Sequence, residues 1–330
     1  MLSRTGLGIG IFLSVGLTVS HGQLTEATLK GTVRDAQEQM VAGSAVKATN
    51  QGTGLSRNVV SDQSGAFVMP GLPPGLYTVT VQAKNFKTFD SRDIRLNVGQ
   101  TSELEVSLEV GQVTETVEVS ASIAAVPLVR DARLADNFGQ SQLVDLPVPQ
   151  RDVFGLPKLS AGATAIPGAA NSTKLTNSPV ITVNGNRYRG NEYVLDGAIN
   201  VNPNNTGEPA IVPTLDSVEE AQVQTANFSS EFGRGNGSVV NLRTKSGTNQ
   251  IHGRVWEYGR NSSLNARNFF AASRQPLSYN QFGGNVGGPI IKNKTFFFVN
   301  LQWLRTLVTQ INTNPVYTAL GRQGILRSST

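Results

Sequence analysis

The chain has 330 residues and a formal net charge of +5, with 15% charged residues, 34 glycines and no cysteine. Charged residues make up about 25% of an average soluble protein, so Asn, Ser, Thr, Gln and Gly must supply most of the polar surface, as in turn-rich β-structure. Lys and Arg are scattered singly without a basic patch, which excludes nucleic acid as an expected partner, and the lack of thiols excludes disulfides as a source of stability.

The amino terminus has the layout of a secretory signal peptide. Arg4 precedes an apolar run over residues 7–19, and the small residues Ser20 and Gly22 are placed for cleavage just after Gly22. The run is shorter than the about 20 apolar residues that a membrane-spanning helix needs. We therefore predict a signal peptide over residues 1–22 and an exported protein, with a buried amino-terminal helix as the alternative.

Residues 23–110 are rich in short β-type runs. Asp62 and Gly65 mark a turn, because Asp can accept from its own backbone and Gly readily adopts positive φ. The PGLPPG segment at residues 70–75 suits a tight connection rather than a helix or a central strand. Apolar residues alternate with polar ones over residues 77–83 and 104–110, which predicts strands with one buried face. About seven such strands indicate a small β-sandwich.

Two motifs in this region resemble the carboxypeptidase regulatory-like domain. They are D-x-x-G-x-F at residues 62–67 and P-G-L-P-P-G-x-Y-x-V-x-V at residues 70–81. The resemblance implies a transthyretin-like β-sandwich. It does not imply a peptidase, because the two histidines, His21 and His252, lack the spacing of zinc ligands. We expect no enzyme, no cofactor, and no catalytic or metal-binding residue.

The linker over residues 111–125 contains a candidate partner-binding segment. Its sequence ETVEVSA resembles the TonB box, an extended segment that adds a strand to the sheet of its partner TonB through backbone hydrogen bonds. The residues are Glu115, Thr116, Val117, Glu118, Val119, Ser120 and Ala121. The alternative is that the segment is the last strand of the sandwich, and the two interpretations are compatible if that strand is held weakly.

Residues 126–246 mix helix and strand signals. We predict short helical turns at 141–147 and 151–159, and short strands with Asn-Gly and Asp-Gly turns at 179–187 and 191–197. Ser217 and Glu220 have the spacing of a capping box, which predicts a brief helix at the start of residues 216–225.

Two features of this region suggest chemistry but fit structural roles better. The GRGNG segment at residues 233–237 lacks the spacing of a dinucleotide-binding loop. Asp196 has no neighbouring base or second acid, so we interpret it as a turn residue beside Gly197.

An ordered series of motifs in residues 126–246 resembles the plug of Oar-like TonB-dependent transporters. The resemblance implies a four-stranded α/β plug that fills the lumen of a barrel. The motifs are LP at 146–147, Arg151, L-x-A-G at 159–162, VNGNR at 183–187, YVLDG at 193–197, VEEAQVQT at 218–225 and EFGRGNGSVVN at 231–241.

Residues 247–330 resemble the first barrel strands of the same transporters, through KSGTN, LNARNFF and QFGGNVGGPI-KNKTFFF. We predict strands at 281–291 and 294–305, joined by a very short turn, and a poorer strand at 251–260. Phe297, Val299, Leu301 and Trp303 would share one face, as expected for strands between lipid and a polar interior. A second soluble sandwich is the alternative.

The sequence therefore predicts a mainly β chain: a transthyretin-like sandwich, then an α/β plug, then the incomplete start of a transmembrane antiparallel β-barrel. Because barrels of this family have about 22 strands, we infer the amino-terminal portion of a longer outer-membrane transporter that takes TonB, outer-membrane lipid and an external ligand as partners. A secreted β-sandwich adhesion or carbohydrate-binding protein is the alternative function.

Overall fold

The computed structural model divides into two units, Met1–Thr244 and Lys245–Thr330. The predicted signal peptide at residues 1–22 lies outside the described residues. In the part of the chain that is described, no helix is long and apolar enough to cross a membrane. The structure describes residues 25–112, 116–120, 125–127, 134–146, 148, 151–170, 179–203, 208–228, 232–233, 235–267, 273–274, 276–308 and 322.

The amino-terminal module, residues 25–127, contains nine strands in two sheets. One sheet has the order β4-β1-β7-β9 and the other β3-β2-β5-β6-β8. The strands are β1 Ala27–Asp35, β2 Ala45–Asn50, β3 Ser56–Val60, β4 Ala66–Leu72, β5 Gly75–Gln82, β6 Thr88–Leu96, β7 Thr101–Leu108, β8 Thr116–Ser120 and β9 Ala125–Pro127.

Both sheets of this module contribute side chains to one buried cluster. For this reason buried apolar residues alternate with more exposed polar residues along their strands. Tyr77, Val79 and Val81 of β5 are buried, as are Leu104 and Val106 of β7. The predicted period of two is therefore confirmed in β5 and β7, which each bury one face, but it ends at Leu108, and Val110 beyond it is 68% exposed.

The turns of this module follow from local side-chain chemistry. Asp62 Oδ1 accepts from the backbone N–H groups of Ser64 and Ala66, and Gly65 has a φ of 70°. Pro70 differs from expectation because it lies inside β4 rather than in the following connection. Strand β4 is at the edge of its sheet, where a missing N–H donor is tolerated.

The central module, residues 134–244, is built on a sheet of order β10-β15-β16-β13-β14 beside the antiparallel pair β11–β12. The expectation of four strands is corrected to five among the described residues, because the two-residue strand β14 adds to the edge of the sheet at β13. Short helical segments cover Gln140–Asp145 (α1), Val153–Leu159, Tyr188–Gly190 and Leu215–Ser217. The strands are β10 Leu134–Phe138, β11 Ala163–Ala170, β12 Pro179–Val183, β13 Glu192–Leu195, β14 Ala198–Ile199, β15 Val218–Ala226 and β16 Val239–Thr244.

The helical turns and the two short strands predicted here are confirmed, but the brief helix that the capping-box spacing predicts at the start of residues 216–225, before the chain extends again, is wrong. Ser217 ends a 3₁₀ turn and donates its hydroxyl to the Thr214 carbonyl, and Glu220 lies in strand β15. The reason is tertiary pairing: β15 lies between β10 and β16, and its Ala221 and Val223 face the buried core. A four-residue capping pattern is outweighed by two neighbouring strands.

The carboxyl-terminal sheet contains β17 His252–Asn261, β18 Leu277–Ile291 and β19 Thr295–Val308, in the order β17-β18-β19. Strands β18 and β19, of 15 and 14 residues, are longer than the sequence predicted. The short turn between them is confirmed: Lys294 N–H donates to the Ile291 carbonyl at 3.1 Å, and Asn293 has a φ of 60°. Strand β17 is a regular ten-residue partner of β18 even though Glu257 interrupts its apolar pattern.

Candidate functional site: the linker strand and the surfaces around it

The candidate partner-binding segment forms a strand on the edge of the amino-terminal module. Thr116–Ser120 is β8, which pairs in parallel with β6 from Thr88↔Thr116 to Arg92↔Ser120. The structure thus brings five of the seven predicted residues into one extended backbone, whereas Glu115 and Ala121 lie outside the described residues.

The chain leading into β8 is fixed by backbone contacts with the start of β6. Lys87 N–H donates to the Glu109 carbonyl at 2.8 Å, and Gly111 N–H donates to the Asn85 carbonyl at 3.2 Å. After β8, Ala125–Pro127 pairs antiparallel with β7 in the other sheet. The linker therefore lies along an edge of each sheet, β8 beside β6 and β9 beside β7.

The turn between β6 and β7 joins the amino-terminal module to the central sheet. Val98 N–H donates to Glu220 Oε2 at 3.1 Å, and Gln222 Nε2 donates to the Val98 carbonyl at 2.8 Å. Gly99 has a φ of 62°, and a Cβ there would lie 2.9 Å from Gln222 Oε1. Two side chains of β15 thus hold the backbone of one turn residue.

The carboxyl of Glu220 has a raised pKa in this contact. Burial, with a smaller contribution from the neighbouring Glu219, raises the pKa of its carboxyl to about 7. The Val98 N–H and the charges of Arg95 and Arg243 act in the opposite direction but do not offset burial. The carboxyl therefore changes protonation near neutral pH.

A polar cleft of about 720 Å³ lies beside this contact. Its walls come from both modules and include Arg95, Asn97, Asn137, Gln142 and Glu220. Among the described residues, no group of His, Cys, Asp and Glu side chains is arranged to hold a metal ion.

The motif residues of the central module make structural contacts. Arg151 Nη2 lies 3.2 and 3.1 Å from the two carboxylate oxygens of Asp216, which is 1% exposed as a side chain. Asp196, at a φ of 49°, accepts from the backbone N–H and the hydroxyl of Thr244. The interpretation of Asp196 as a turn residue is confirmed.

The glycines of the GRGNG segment allow two backbones to touch. Gly237 N–H donates to the Gly190 carbonyl at 3.0 Å. A Cβ on Gly235 would lie 2.3 Å from the Gly190 carbonyl oxygen, whereas a Cβ on Gly233 would meet nothing within 4 Å. The segment is a close backbone crossing between the start of β13 and the start of β16.

The carboxyl-terminal sheet has one apolar and one mixed face. The register places Phe282 opposite Trp303, Gly284 opposite Leu301 and Val286 opposite Val299. These side chains form the apolar face, and its exposed fractions include 86% for Val255, 56% for Leu301 and 53% for Trp303. The predicted sharing of one face by residues 297, 299, 301 and 303 is confirmed.

The opposite face of this sheet is mixed, with polar rows beside Phe296, Phe298 and Trp256. Its rows include Asn285 opposite Asn300 and Gly283 opposite Gln302. Trp256 lies on this face over Gly283, with 7% of its surface exposed. Sequence reasoning missed Trp256 because its flanking residues, Val255 and Glu257, gave no clean alternation.

Sequence reasoning also missed the contact of Val98 with Glu220 and Gln222. The partners are 122 and 124 residues apart, and no local pattern connects residues at that separation. The polar alternation of Glu220, Gln222 and Gln224 in β15 is the one signal that could have indicated a second, polar face of this strand.

Comparisons with known proteins identify both ends of the chain. Residues 28–109 match the model of the carboxypeptidase regulatory-like domain, and residues 243–330 match that of an outer membrane beta barrel domain. The TonB-dependent transporter Oar of Myxococcus xanthus is 29% identical over 318 residues, which is 90% of this chain and 28% of that protein. The chain thus spans little more than a quarter of this relative.

Solved structures also match this chain, among them a receptor and a dioxygenase. The siderophore receptor PirA from Acinetobacter baumannii is 22% identical over 52% of this chain and 24% of that chain, with a TM-score of 0.42. Catechol 1,2-dioxygenase from Pseudomonas arvilla C-1 is 13% identical over 27% of this chain and 54% of that chain, with a TM-score of 0.21. With TM-scores this low, neither structure establishes a shared fold.

The family models and the curated relative confirm three of the predictions made from sequence. The resemblance to Oar-like TonB-dependent transporters holds over nine-tenths of the chain. The mainly β fold class is confirmed, and so is localisation in the outer membrane.

Proposed function

We propose that this chain, similar to an Oar-like TonB-dependent transporter over 90% of its length, is the amino-terminal portion of such a transporter. In this proposal an external ligand binds, TonB pairs with the linker, and rearrangement of a plug opens a path for gated uptake or export. The chain carries out no bond chemistry. Its parts are a signal peptide (1–22), a transthyretin-like regulatory sandwich (23–110), the linker (111–125), an α/β plug (126–246) and the first barrel strands (247–330).

The two-faced sheet of residues 252–308 is the observation that carries the proposal. Leu301 and Trp303 are more than half exposed on one face, and Gln302 between them lies on the other face, in the same strand position relative to Gly283 as Asn300 is to Asn285. In a strand that separates lipid from a polar lumen, side chains alternate in this way. In a soluble sandwich the apolar face would instead be covered by a second sheet.

The contacts within the central module support its assignment as a plug, because the residues of its motifs stabilise the fold. Arg151 and Asp216 pair inside the module, and Asp196 fixes the end of β16. None of these contacts leaves a nucleophile beside a base, which is the arrangement that covalent catalysis requires. In the proposed transporter, such a module would fill the lumen of the barrel and open a path when it rearranges.

The linker strand supports the pairing with TonB. Residues 116–120 already have an extended backbone, which is the conformation that β-augmentation uses. Because such pairing depends on backbone hydrogen bonds, a substitution that removes an N–H should matter more than one that changes a side chain.

A peptide of residues 111–125 tests the assignment of the TonB box. We expect it to bind the periplasmic domain of TonB in isothermal titration calorimetry. Val117→Pro should abolish binding because proline lacks the N–H donor, whereas Val117→Thr should retain it. Absence of binding by the unsubstituted peptide would remove the assignment.

The alternative of a secreted adhesion or carbohydrate-binding protein is not favoured. The matched models describe a regulatory-like domain and an outer membrane barrel domain, and the curated relative is a transporter.

A further inference from the structure

The candidate TonB box is already the last strand of a sheet, which raises the question of how a partner would reach it. In the order β3-β2-β5-β6-β8, strand β8 has β6 on one side. On its other side no strand pairs with it among the described residues. A strand has two hydrogen-bonding edges, so β8 has one edge in use and one edge that a further strand can occupy.

Alternate residues of a strand direct their N–H and C=O groups to opposite edges. In β8, one alternate set therefore bonds β6 and the other set points away from it. A partner strand that adds to the outer edge would break none of the hydrogen bonds between β8 and β6. A partner that needs β8 free must first break the five-residue ladder from Thr88↔Thr116 to Arg92↔Ser120.

The anchors on both sides of β8 add to the cost of freeing it. Before β8, the Glu109 carbonyl accepts from Lys87 N–H and Gly111 N–H donates to the Asn85 carbonyl, and after β8 the chain is paired as β9 with the other sheet.

We propose that β8 binds TonB while it remains paired with β6, so that the partner strand becomes the sixth strand of this sheet and the amino-terminal module is the docking platform. This inference rests on the proposed function of residues 115–121. It goes further because it gives the regulatory-like module a role: it holds the segment extended before the partner arrives. A pre-extended segment binds more tightly than a free peptide, which must lose backbone freedom on binding.

A reversible cross-link between β6 and β8 tests the proposal in the full chain. Arg92 and Ser120 are register partners, and neighbouring strands lie about 4.8 Å apart, within the Cα separations that disulfides span. The chain contains no cysteine, so Arg92→Cys with Ser120→Cys would create a unique disulfide. A matched control, Lys47→Cys with Asn58→Cys, ties β2 to β3 at the opposite side of the same sheet.

Binding of the periplasmic domain of TonB would be measured for the oxidised and reduced full chain in detergent micelles. We expect the oxidised chain to bind within about twofold of the reduced chain and of the control, and about tenfold or more tightly than peptide 111–125. If oxidation weakens binding about tenfold or more while the reduced chain and the peptide bind, the inference is overturned and the TonB box assignment stands. If the peptide binds and the reduced chain does not, the inference is overturned as well.

Failure of both peptide and chain to bind would remove the proposed TonB box and this inference with it. Hydrogen exchange supplies a second measurement that does not depend on affinity. In the free chain, alternate amides of residues 116–120 should be protected by β6, and the remaining amides should become protected when TonB binds. Uniformly fast exchange across this segment in the free chain would contradict the docked strand.

Discussion

At the scale of single residues, Glu220 is the most informative position. The residue is 6% exposed, and its carboxylate accepts a hydrogen bond from the N–H of Val98 in the other module. The sequence presented it as part of a helix cap, but the structure uses it to hold the β6–β7 turn. The difference arises because its partner is 122 residues away, beyond the reach of any local pattern.

The raised pKa of Glu220 predicts a pH-dependent stability. The folded state holds the proton up to about pH 7, whereas the unfolded chain releases it near 4.5, so the free energy of unfolding should fall as pH rises between these values. The largest loss is about 3 kcal/mol. In Glu220→Gln this loss should be absent, because glutamine keeps an acceptor for Val98 and cannot ionise.

Denaturant unfolding of residues 23–246 at pH 5 and pH 8 would measure the effect. Glu105→Gln, a change of an exposed glutamate in β7, is the matched control and should behave like the unsubstituted protein. A Glu220→Gln variant with the same pH dependence as its parent would show that this carboxyl does not titrate in that range.

At the scale of elements, the sequence predicted best where a signal is local or strictly periodic. The turn at Asp62 and the faces of β18 and β19 depend on neighbouring residues, and both are confirmed. Strand β15 was missed at its start because pairing with β10 and β16 outweighed the capping pattern. The parallel pairing of β8 with β6 was left open, because a parallel partner cannot be identified from a five-residue segment.

The glycine crossing between the starts of β13 and β16 predicts a pair of contrasting substitutions. Gly235→Ala would force a Cβ to within 2.3 Å of the Gly190 carbonyl oxygen and should lower the free energy of unfolding by about 1–3 kcal/mol. Gly233→Ala, two residues earlier in the same motif, meets nothing within 4 Å and should change it by about 0.5 kcal/mol or less. Chemical denaturation of residues 23–246 would measure both, and equal effects would contradict the role of the crossing.

At the scale of the whole molecule, the two faces of the carboxyl-terminal sheet predict solubility. Residues 23–246 should be soluble in buffer, whereas residues 23–330 should sediment unless detergent is present, because Val255, Leu301 and Trp303 expose apolar surface. Replacing Val299, Leu301 and Trp303 together by Thr should reduce the need for detergent. Gln302→Thr on the mixed face is the control and should not.

Equal solubility of residues 23–246 and 23–330 in buffer would argue against strands that face lipid. The order of the parts along the chain was predictable from motifs, since each motif lies within a short segment. The way the first two modules meet was not, because it depends on one turn residue and two distant side chains.

The hydrogen bonds of Glu220 and Gln222 to Val98 have a mechanical consequence. Two hydrogen bonds from β15 side chains hold that residue, and neither belongs to the ladder of a sheet. A pull on the amino-terminal module would load this joint before it strained the pairing within either sheet. We expect the two modules to separate at this contact while each keeps the hydrogen bonds of its own sheets.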